Sequence, residues 1–134
     1  FHGTFAHHRC LECDERIDTC SLVLSEIPPR CRCGGIYRPE CVFFGEMIPQ
    51  LAMHRSREAA SRCDVMLVVG TSAVVQPAAF MPVIAKNAGA KVIEINPEPT
   101  PLTGNVSDHL IQGKAGDIMN RLLDALERIS KSSV

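Results

Sequence analysis

The sequence predicts an α/β fold, part of a parallel sheet with flanking helices, plus a small cysteine-rich module. Three observations carry that prediction. Asp64 to Pro77 reads DVMLVVGTSAVVQP, a continuous apolar run that stops at Gly70-Thr71-Ser72, as a fully buried parallel strand does when it delivers a glycine turn to a crevice. Lys91 to Asn96, KVIEIN, is a second strand, and strand, helix and strand together fit the roughly 30 residues of a right-handed βαβ crossover. Ahead of both, Cys10-x2-Cys13 and Cys31-x-Cys33-Gly-Gly place four thiols in two close pairs.

The elements follow in order. From Phe5 to about Tyr37 the chain holds five of its seven cysteines, Pro28-Pro29, Gly34-Gly35 and β-prone pieces such as Phe5 to Cys10. Such a stretch buries little apolar surface and needs a staple. Arg38 to Glu46, RPECVFFGE, carries a short extended apolar segment ending at Gly45. Pro49 to Arg62 reads as a helix with Pro49 in its first turn, an apolar side of Leu51, Ala52, Ala59, Ala60 and Cys63, and Arg55, Arg57 and Glu58 outward. After the strand at 64–69, Pro77 to Asn87 reads as a helix that bends or starts late at Pro82 and is closed by Gly89. The strand Lys91 to Asn96 leads into a loop, Pro97 to Pro101, and Asp108 to Gln112 reads as a third strand. Gly116 to Ile129 is the clearest helix, with Ile118, Leu122, Leu126 and Ile129 at helical spacing and Met119 and Leu123 alongside. Ser130 to Val134 reads as a frayed tail.

Composition narrows the function classes. The 134 residues are 46% hydrophobic and 22% charged, which describes one ordinary globular domain. With 14 basic against 15 acidic residues, nothing attracts the chain to nucleic acid or to an anionic membrane. No apolar run approaches the roughly 18 residues that span a bilayer, and FHGTFAHHRC has no signal-peptide pattern. An odd number of cysteines fits metal ligands or buried thiols in a reducing, cytoplasmic setting better than a disulfide framework. The chain opens on Phe-His-Gly with no strand or helix before it, so the expectation is a piece that begins inside a fold.

Cys10, Cys13, Cys31 and Cys33 supply four soft donors suited to tetrahedral zinc, and four sulfurs describe a closed structural site. The second pair is one residue shorter than C-x2-C, which leaves Cys20 or Cys41 open as a substitute, with His7 and His8 near enough in sequence to compete. Gly70, Thr71 and Ser72 lack the G-x-G-x-x-G of the usual dinucleotide fingerprint. Asn96, Pro97 and Glu98 nevertheless put polar groups where an adjacent strand presents them to ribose, and a carboxylate such as Glu98 accepts hydrogen bonds from both ribose hydroxyls. Histidine as a residue type titrates near neutral pH, and His2 has the chemistry of a general base.

Taken in order, His2-Gly3, the two cysteine pairs, RPECVFFGE, LVVGTSAVVQPAA, INPEPTP and GKAGDIM resemble the sirtuin family of NAD-dependent protein lysine deacylases, its microbial branch above all. The resemblance implies a Rossmann-like NAD-binding domain, formed in part by residues 1–4 and 42–134, with a zinc module at 5–41. It implies His2 as the general base towards the nicotinamide-ribose hydroxyls, with the acyl group of a substrate lysine passing to ADP-ribose as nicotinamide leaves. Gly70, Thr71 and Ser72 match residues lining the NAD site, Asn96, Pro97 and Glu98 the loop that holds the adenosine ribose, and Ala115 a contact near adenine. Val42, Phe43, Phe44, Gly45, Glu46 and Val75 match the walls between which an acyl-lysine peptide lies as an added strand.

The family's N-terminal half, with its glycine-rich phosphate loop, has no counterpart here and is the expected partner, leaving one edge of the sheet unpaired. Gln76 stands where the family often has an aromatic residue. Two other readings fit parts of the pattern. One is a catalytically inactive, zinc-stabilised fragment that binds peptide or nucleotide. The other is an adenine-dinucleotide domain like those that bind FAD in thiamine-dependent enzymes.

Overall fold

A computed structural model describes residues 1–132. The chain divides into two compact units, Phe1–Ala52 and the residues from Met53 onward.

The first unit is built on β1 (Gly3–Cys10), which lies between β2 (Arg16–Asp18) and β3 (Tyr37–Cys41) in an antiparallel sheet. His8 pairs with Ile17 on one side and Pro39 on the other, and the register with β3 slips between Gly3 and His8. Its core is small: Cys10, Cys31 and Tyr37, with Ile17 and Leu22 against them. Charge and hydrogen bonds make up part of what burial does not supply. Glu40 on β3 accepts Arg9 Nε at 2.7 Å and Arg16 Nε at 2.8 Å, and Arg9 also reaches Asp14 at 2.9 Å, so one carboxylate joins all three strands. Gly3 has φ +77, and a Cβ there would stand 2.0 Å from the Glu40 carbonyl oxygen. Only glycine fits the close approach of β1 and β3 at this point.

The second unit holds β4 (Val65–Val69), β5 (Lys91–Asn96) and β6 (His109–Gln112), parallel in the order β4-β5-β6. Val65 pairs with Lys91 and Val69 with Ile95, while Ile93 pairs with His109 and Asn96 with Gln112. The helices are α1 (Gln50–Arg62), α2 (Phe80–Asn87) and α3 (Ala115–Ser132). Ala60 of α1 packs on Ala85 and Ala90, ringed by Cys63, Met66, Met81 and Ile84, and small side chains bring helix and sheet close together.

The expected helix at 77–87 is shorter at its start. Phe80 N–H bonds the Pro77 carbonyl and Met81 N–H that of Ala78, a tight turn from which α2 departs. Pro82 then falls in the first helical turn, where its missing N–H has no partner to lose. Gly89, at φ +97, closes α2 as expected, and Ala90 N–H returns to the Ala85 carbonyl at 3.0 Å. The expected tail at 130–134 is helical through Ser132, and its last two residues lie outside the described ones.

The expectation of a fully buried strand at 64–69 is corrected. β4 alternates, with Val68 buried and Met66 half-buried, while Val65, Leu67 and Val69 are 51%, 40% and 37% exposed. The buried strand is β5, flanked on both sides, whose Val92, Glu94 and Ile95 are wholly inaccessible. β4 has a single paired neighbour among the described residues, and the face that carries Met66 and Val68 is the one packed against the core.

The constraint at Gly3 gives a direct test. Gly3→Ala is expected to cost about 1–3 kcal/mol of stability, the scale of a strained backbone position, read by denaturant unfolding. A variant as stable as the parent would show that β1 and β3 do not meet there as described.

Candidate functional site

Parallel pairing brings three strand ends to one edge. Gly70 N–H bonds the Ile95 carbonyl at 2.9 Å and Gly113 N–H that of Asn96 at 3.2 Å, so β4, β5 and β6 release their chains at a common level. Gly70 turns there at φ +61, and a Cβ on it would stand 4.0 Å from the Ala115 Cβ at the start of α3. The carboxyl edge of a parallel sheet is where open α/β folds place ligands. Gly70, Asn96 and Ala115, far apart in sequence, are gathered there. Thr71 and Ser72 follow Gly70 in the exposed loop, where Thr71 Oγ1 accepts Ala73 N–H at 3.1 Å, and Val75 is exposed further along the same loop.

The elbow after β5 is held at its near end. Asn96 Nδ2 donates to the Glu98 carbonyl at 2.9 Å and Gln112 Nε2 to that of Pro97 at 3.5 Å. Pro97 and Glu98 themselves are exposed. Sequence reasoning passed over Glu94 on the same strand. Its carboxylate is wholly buried and accepts hydroxyls from Thr100, from Thr103 at 2.6 Å and from Ser107 at 2.6 Å. Burial pushes this carboxyl up, but the hydroxyls of Ser107, Thr100 and Thr103 outweigh it and hold it below its ordinary value. The signal available in the sequence was an acidic residue in the middle of the apolar run of KVIEIN.

In the first unit the four cysteines meet. The sulfurs of Cys10, Cys13, Cys31 and Cys33 all lie within 4.8 Å of one another, with Cys10 to Cys33 at 3.5 Å and Cys13 to Cys31 at 3.6 Å. Tetrahedral zinc with Zn–S bonds near 2.3 Å needs sulfurs about 3.8 Å apart, so the set fits that ion. Cys20 and Cys41 are not in the cluster, and His7 and His8 are turned to Asp18 and Thr19. Gly35 is needed here for close approach, because a Cβ on it would stand 2.7 Å from Cys10 Sγ.

The thiols do not share one acidity. The backbone N–H of Cys13, helped by that of Glu12, brings Cys10 down to about 7 against the effect of burial. At Cys13 the N–H of Glu15 pulls down, yet the neighbouring sulfurs of Cys33, Cys10 and Cys31 push the thiol up to about 12. Sulfurs this close resist collective deprotonation until a cation arrives among them. Glu15 braces the cluster from outside, accepting Cys31 Sγ and the Tyr37 hydroxyl, each at 2.9 Å.

RPECVFFGE folds into a strand and a turn. Arg38 reaches Glu46 at 2.8 Å and lies 5.6 Å from the Phe43 ring centre, while Phe43 N–H donates to Glu46 at 3.0 Å. Arg38, then the Phe43 N–H, keeps the Glu46 carboxyl below its ordinary value. Gly45 makes the turn at φ +87, and Phe44 is 95% exposed. His2 is tied to this segment through its backbone, its carbonyl accepting Val42 N–H at 2.8 Å. Its exposed ring meets Phe1 edge-on at 5.0 Å. Gly3, Arg9, Arg38, Cys41, Val42 and Glu46 are among the residues lining a cavity of about 420 Å³.

These features define a class: a parallel α/β unit with a ligand edge, on one chain with a four-sulfur metal module. Comparison with known proteins narrows it. A model of the Sir2 family matches residues 1–77. NAD-dependent protein deacylase 2 of Pyrobaculum aerophilum is 48% identical over 95% of this chain and 51% of its own length. NAD-dependent protein deacylase 1 of Archaeoglobus fulgidus is 43% identical over 91% of this chain and 50% of its own. Among solved structures, a mutant Sir2 homologue in complex with ADP-ribose matches with a TM-score of 0.89 at 40% identity, over 97% of this chain and 52% of that one. A Sir2 homologue in complex with NAD matches with a TM-score of 0.87 at 41% identity, over 96% and 50%. The chain belongs to the Sir2 family, and it spans about half the length of the curated relatives it matches.

The cysteine geometry has a measurable consequence. The chain is expected to hold one zinc ion, and Cys13→Ser or a strong chelator to remove it and unfold the first unit, followed by metal analysis and circular dichroism. Full metal content in Cys13→Ser, or loss only when Cys20 or Cys41 is replaced, would refute the ligand set.

Proposed function

We propose that this chain forms the ADP-ribose edge, the general base and the zinc module of an NAD-dependent protein lysine deacylase. The observation that carries the reading is the gathering of Gly70, Asn96 and Ala115 at the carboxyl edge of the β4-β5-β6 sheet. Relatives of known structure support it: one is bound to ADP-ribose, one to NAD, and one, 29% identical with a TM-score of 0.84, to a p53 peptide and NAD.

Each residue has a task in this reading. Gly70, Thr71 and Ser72 line the NAD site, the last two through exposed hydroxyls, and Ala115 lies against the adenine end. Asn96, Pro97 and Glu98 hold the adenosine ribose, the Glu98 carboxylate accepting from its hydroxyls. In the first unit Val42, Phe43, Phe44, Gly45 and Glu46 are assigned to an acyl-lysine peptide lying as an added strand, where backbone bonds supply affinity and apolar side chains surround the lysine stem, and Val75 of the second unit is assigned to peptide binding. His2 takes a proton from the nicotinamide ribose, so that the hydroxyl can receive the acyl group once the acyl oxygen has attacked the anomeric carbon and nicotinamide has left. Zinc, held by Cys10, Cys13, Cys31 and Cys33, fixes the module's fold and takes no part in the chemistry.

In domain terms, residues 5–41 are the zinc module, while 1–4 and 42–134 belong to the NAD-binding domain. The phosphate loop and the nicotinamide pocket are assigned to the half of the relatives that this chain does not match, and activity is assigned to the two halves together. An odd number of cysteines, four of them assigned to zinc, suits a cytoplasmic setting. No helix among the described residues is long and apolar enough to cross a membrane.

The test joins this chain to the half of the Pyrobaculum aerophilum relative that it does not match, giving a completed protein. Nicotinamide release from NAD and an acetyl-lysine peptide is expected, and His2→Ala is expected to slow it about 10²–10⁴-fold, the usual worth of a general base, with NAD affinity nearly unchanged. Retained turnover in His2→Ala would refute the assignment of the base. Peptide and NAD binding without any release by the unmodified protein would favour a binding module.

A further inference from the structure

We propose that Glu94 is a positioning residue for NAD binding: by gripping Thr100, Thr103 and Ser107 it sets the elbow Asn96–Glu98 against the sheet edge. The inference rests on the proposed NAD site and assigns a specific residue to its construction.

Glu94 is an unusual occupant of its place. It sits mid-way along the buried strand β5, wholly inaccessible, where a carboxylate is tolerated only if fully hydrogen-bonded. Every side-chain partner it has comes from one segment, the loop that follows its own strand. Among the described residues no cation pairs with it, in contrast to Asp108, which meets Lys86 at 2.7 Å and Lys91 at 3.4 Å. Three hydroxyls therefore carry the whole compensation for burying the charge, and the loop folds in towards Glu94 to supply them.

The loop is wound for that purpose. Thr100 Oγ1 accepts Leu102 N–H at 3.1 Å, and Thr103 Oγ1 accepts Thr100 N–H at 2.9 Å, so both hydroxyls serve the backbone while donating to Glu94. The Leu102 carbonyl gathers the N–H groups of Asn105, Val106 and Ser107 within 3.0 Å. Leu102 itself is buried against Val68 and Val92, next to Glu94 along the same face of the strand.

Between this knot and the strand end lie only Pro97, Glu98 and Pro99. Their near end is tied by Asn96 and Gln112, and their far end by the grip of Glu94 on Thr100. An exposed elbow clamped at both ends keeps its backbone carbonyls, and the backbone from which the Glu98 side chain projects, in place before a ligand arrives, which reduces the ordering cost of binding. A buried residue that never touches ribose thus governs how well ribose is held.

The experiment uses the completed protein and its Glu94→Gln and Ser107→Ala variants. Glutamine keeps the shape but replaces charge-assisted bonds with neutral ones of about half the strength. Glu94→Gln is expected to raise the KM for NAD and the Kd for ADP-ribose about tenfold, with kcat at saturating NAD and the KM for the acetyl-lysine peptide unchanged. Ser107→Ala, which removes one hydroxyl and leaves the strand intact, is expected to shift the same two constants about threefold and carries the test should Glu94→Gln not fold. ADP-ribose affinity equal to that of the parent, or a parallel loss in every kinetic constant, would overturn the role of Glu94. Failure of the unmodified protein to bind ADP-ribose would overturn the NAD reading of the site itself.

Discussion

The parallel pairing of β4 with β5 is the constraint on which the rest of the second unit depends. Val69 opposite Ile95, extended by the bond from Gly70 N–H to the Ile95 carbonyl, puts the glycine turn level with the start of the Asn96 elbow. The pairing of β5 with β6 then brings Gln112, Gly113 and the first turn of α3 to the same edge. A slip of one residue would turn Val92 and Glu94 out of their buried face and leave Leu102 without its floor. The proposed ligand edge is thus a property of register, and no single residue in it creates the arrangement.

The first unit reaches stability by a different route. A core of Cys10, Cys31 and Tyr37 is too slight to hold three strands, and the load passes to the four sulfurs and to polar contacts through Glu40, Arg9, Arg16 and Glu15. That arrangement also frames the segment from His2 to Glu46. Gly3 permits the approach to Glu40, the His2 carbonyl takes Val42 N–H, and Arg38 with Glu46 shapes the turn at Gly45. The cysteine module and the RPECVFFGE motif are parts of one folded piece.

Much of this was legible in the sequence because it rests on local pattern. Strand β5 has its expected bounds, and α1 and α3 form where helices were expected, although Leu51, Leu126 and Ile129 of their expected apolar sides are exposed. The two cysteine pairs imply a metal cluster through chemistry that spacing alone conveys. What stayed hidden depends on contacts across the chain. The exposure of Val65, Leu67 and Val69 depends on what packs against their face of β4 among the described residues, which an apolar run cannot report. The late start of α2 follows from the turn at Pro77, and the roles of Gly35, Glu40 and Glu94 follow from partners 6 to 31 residues away.

The central claim is that the edge formed by β4, β5 and the start of α3 is where ADP-ribose sits. The most direct measurement is a titration of the isotope-labelled completed protein with ADP-ribose, followed by amide chemical shifts. The account expects the largest changes at Gly70, Thr71, Ser72, Asn96, Glu98 and Ala115, with the cysteine module unmoved. Saturable binding whose shifts fall instead on residues 10–35, or on the faces of α3 away from Ala115, would contradict it.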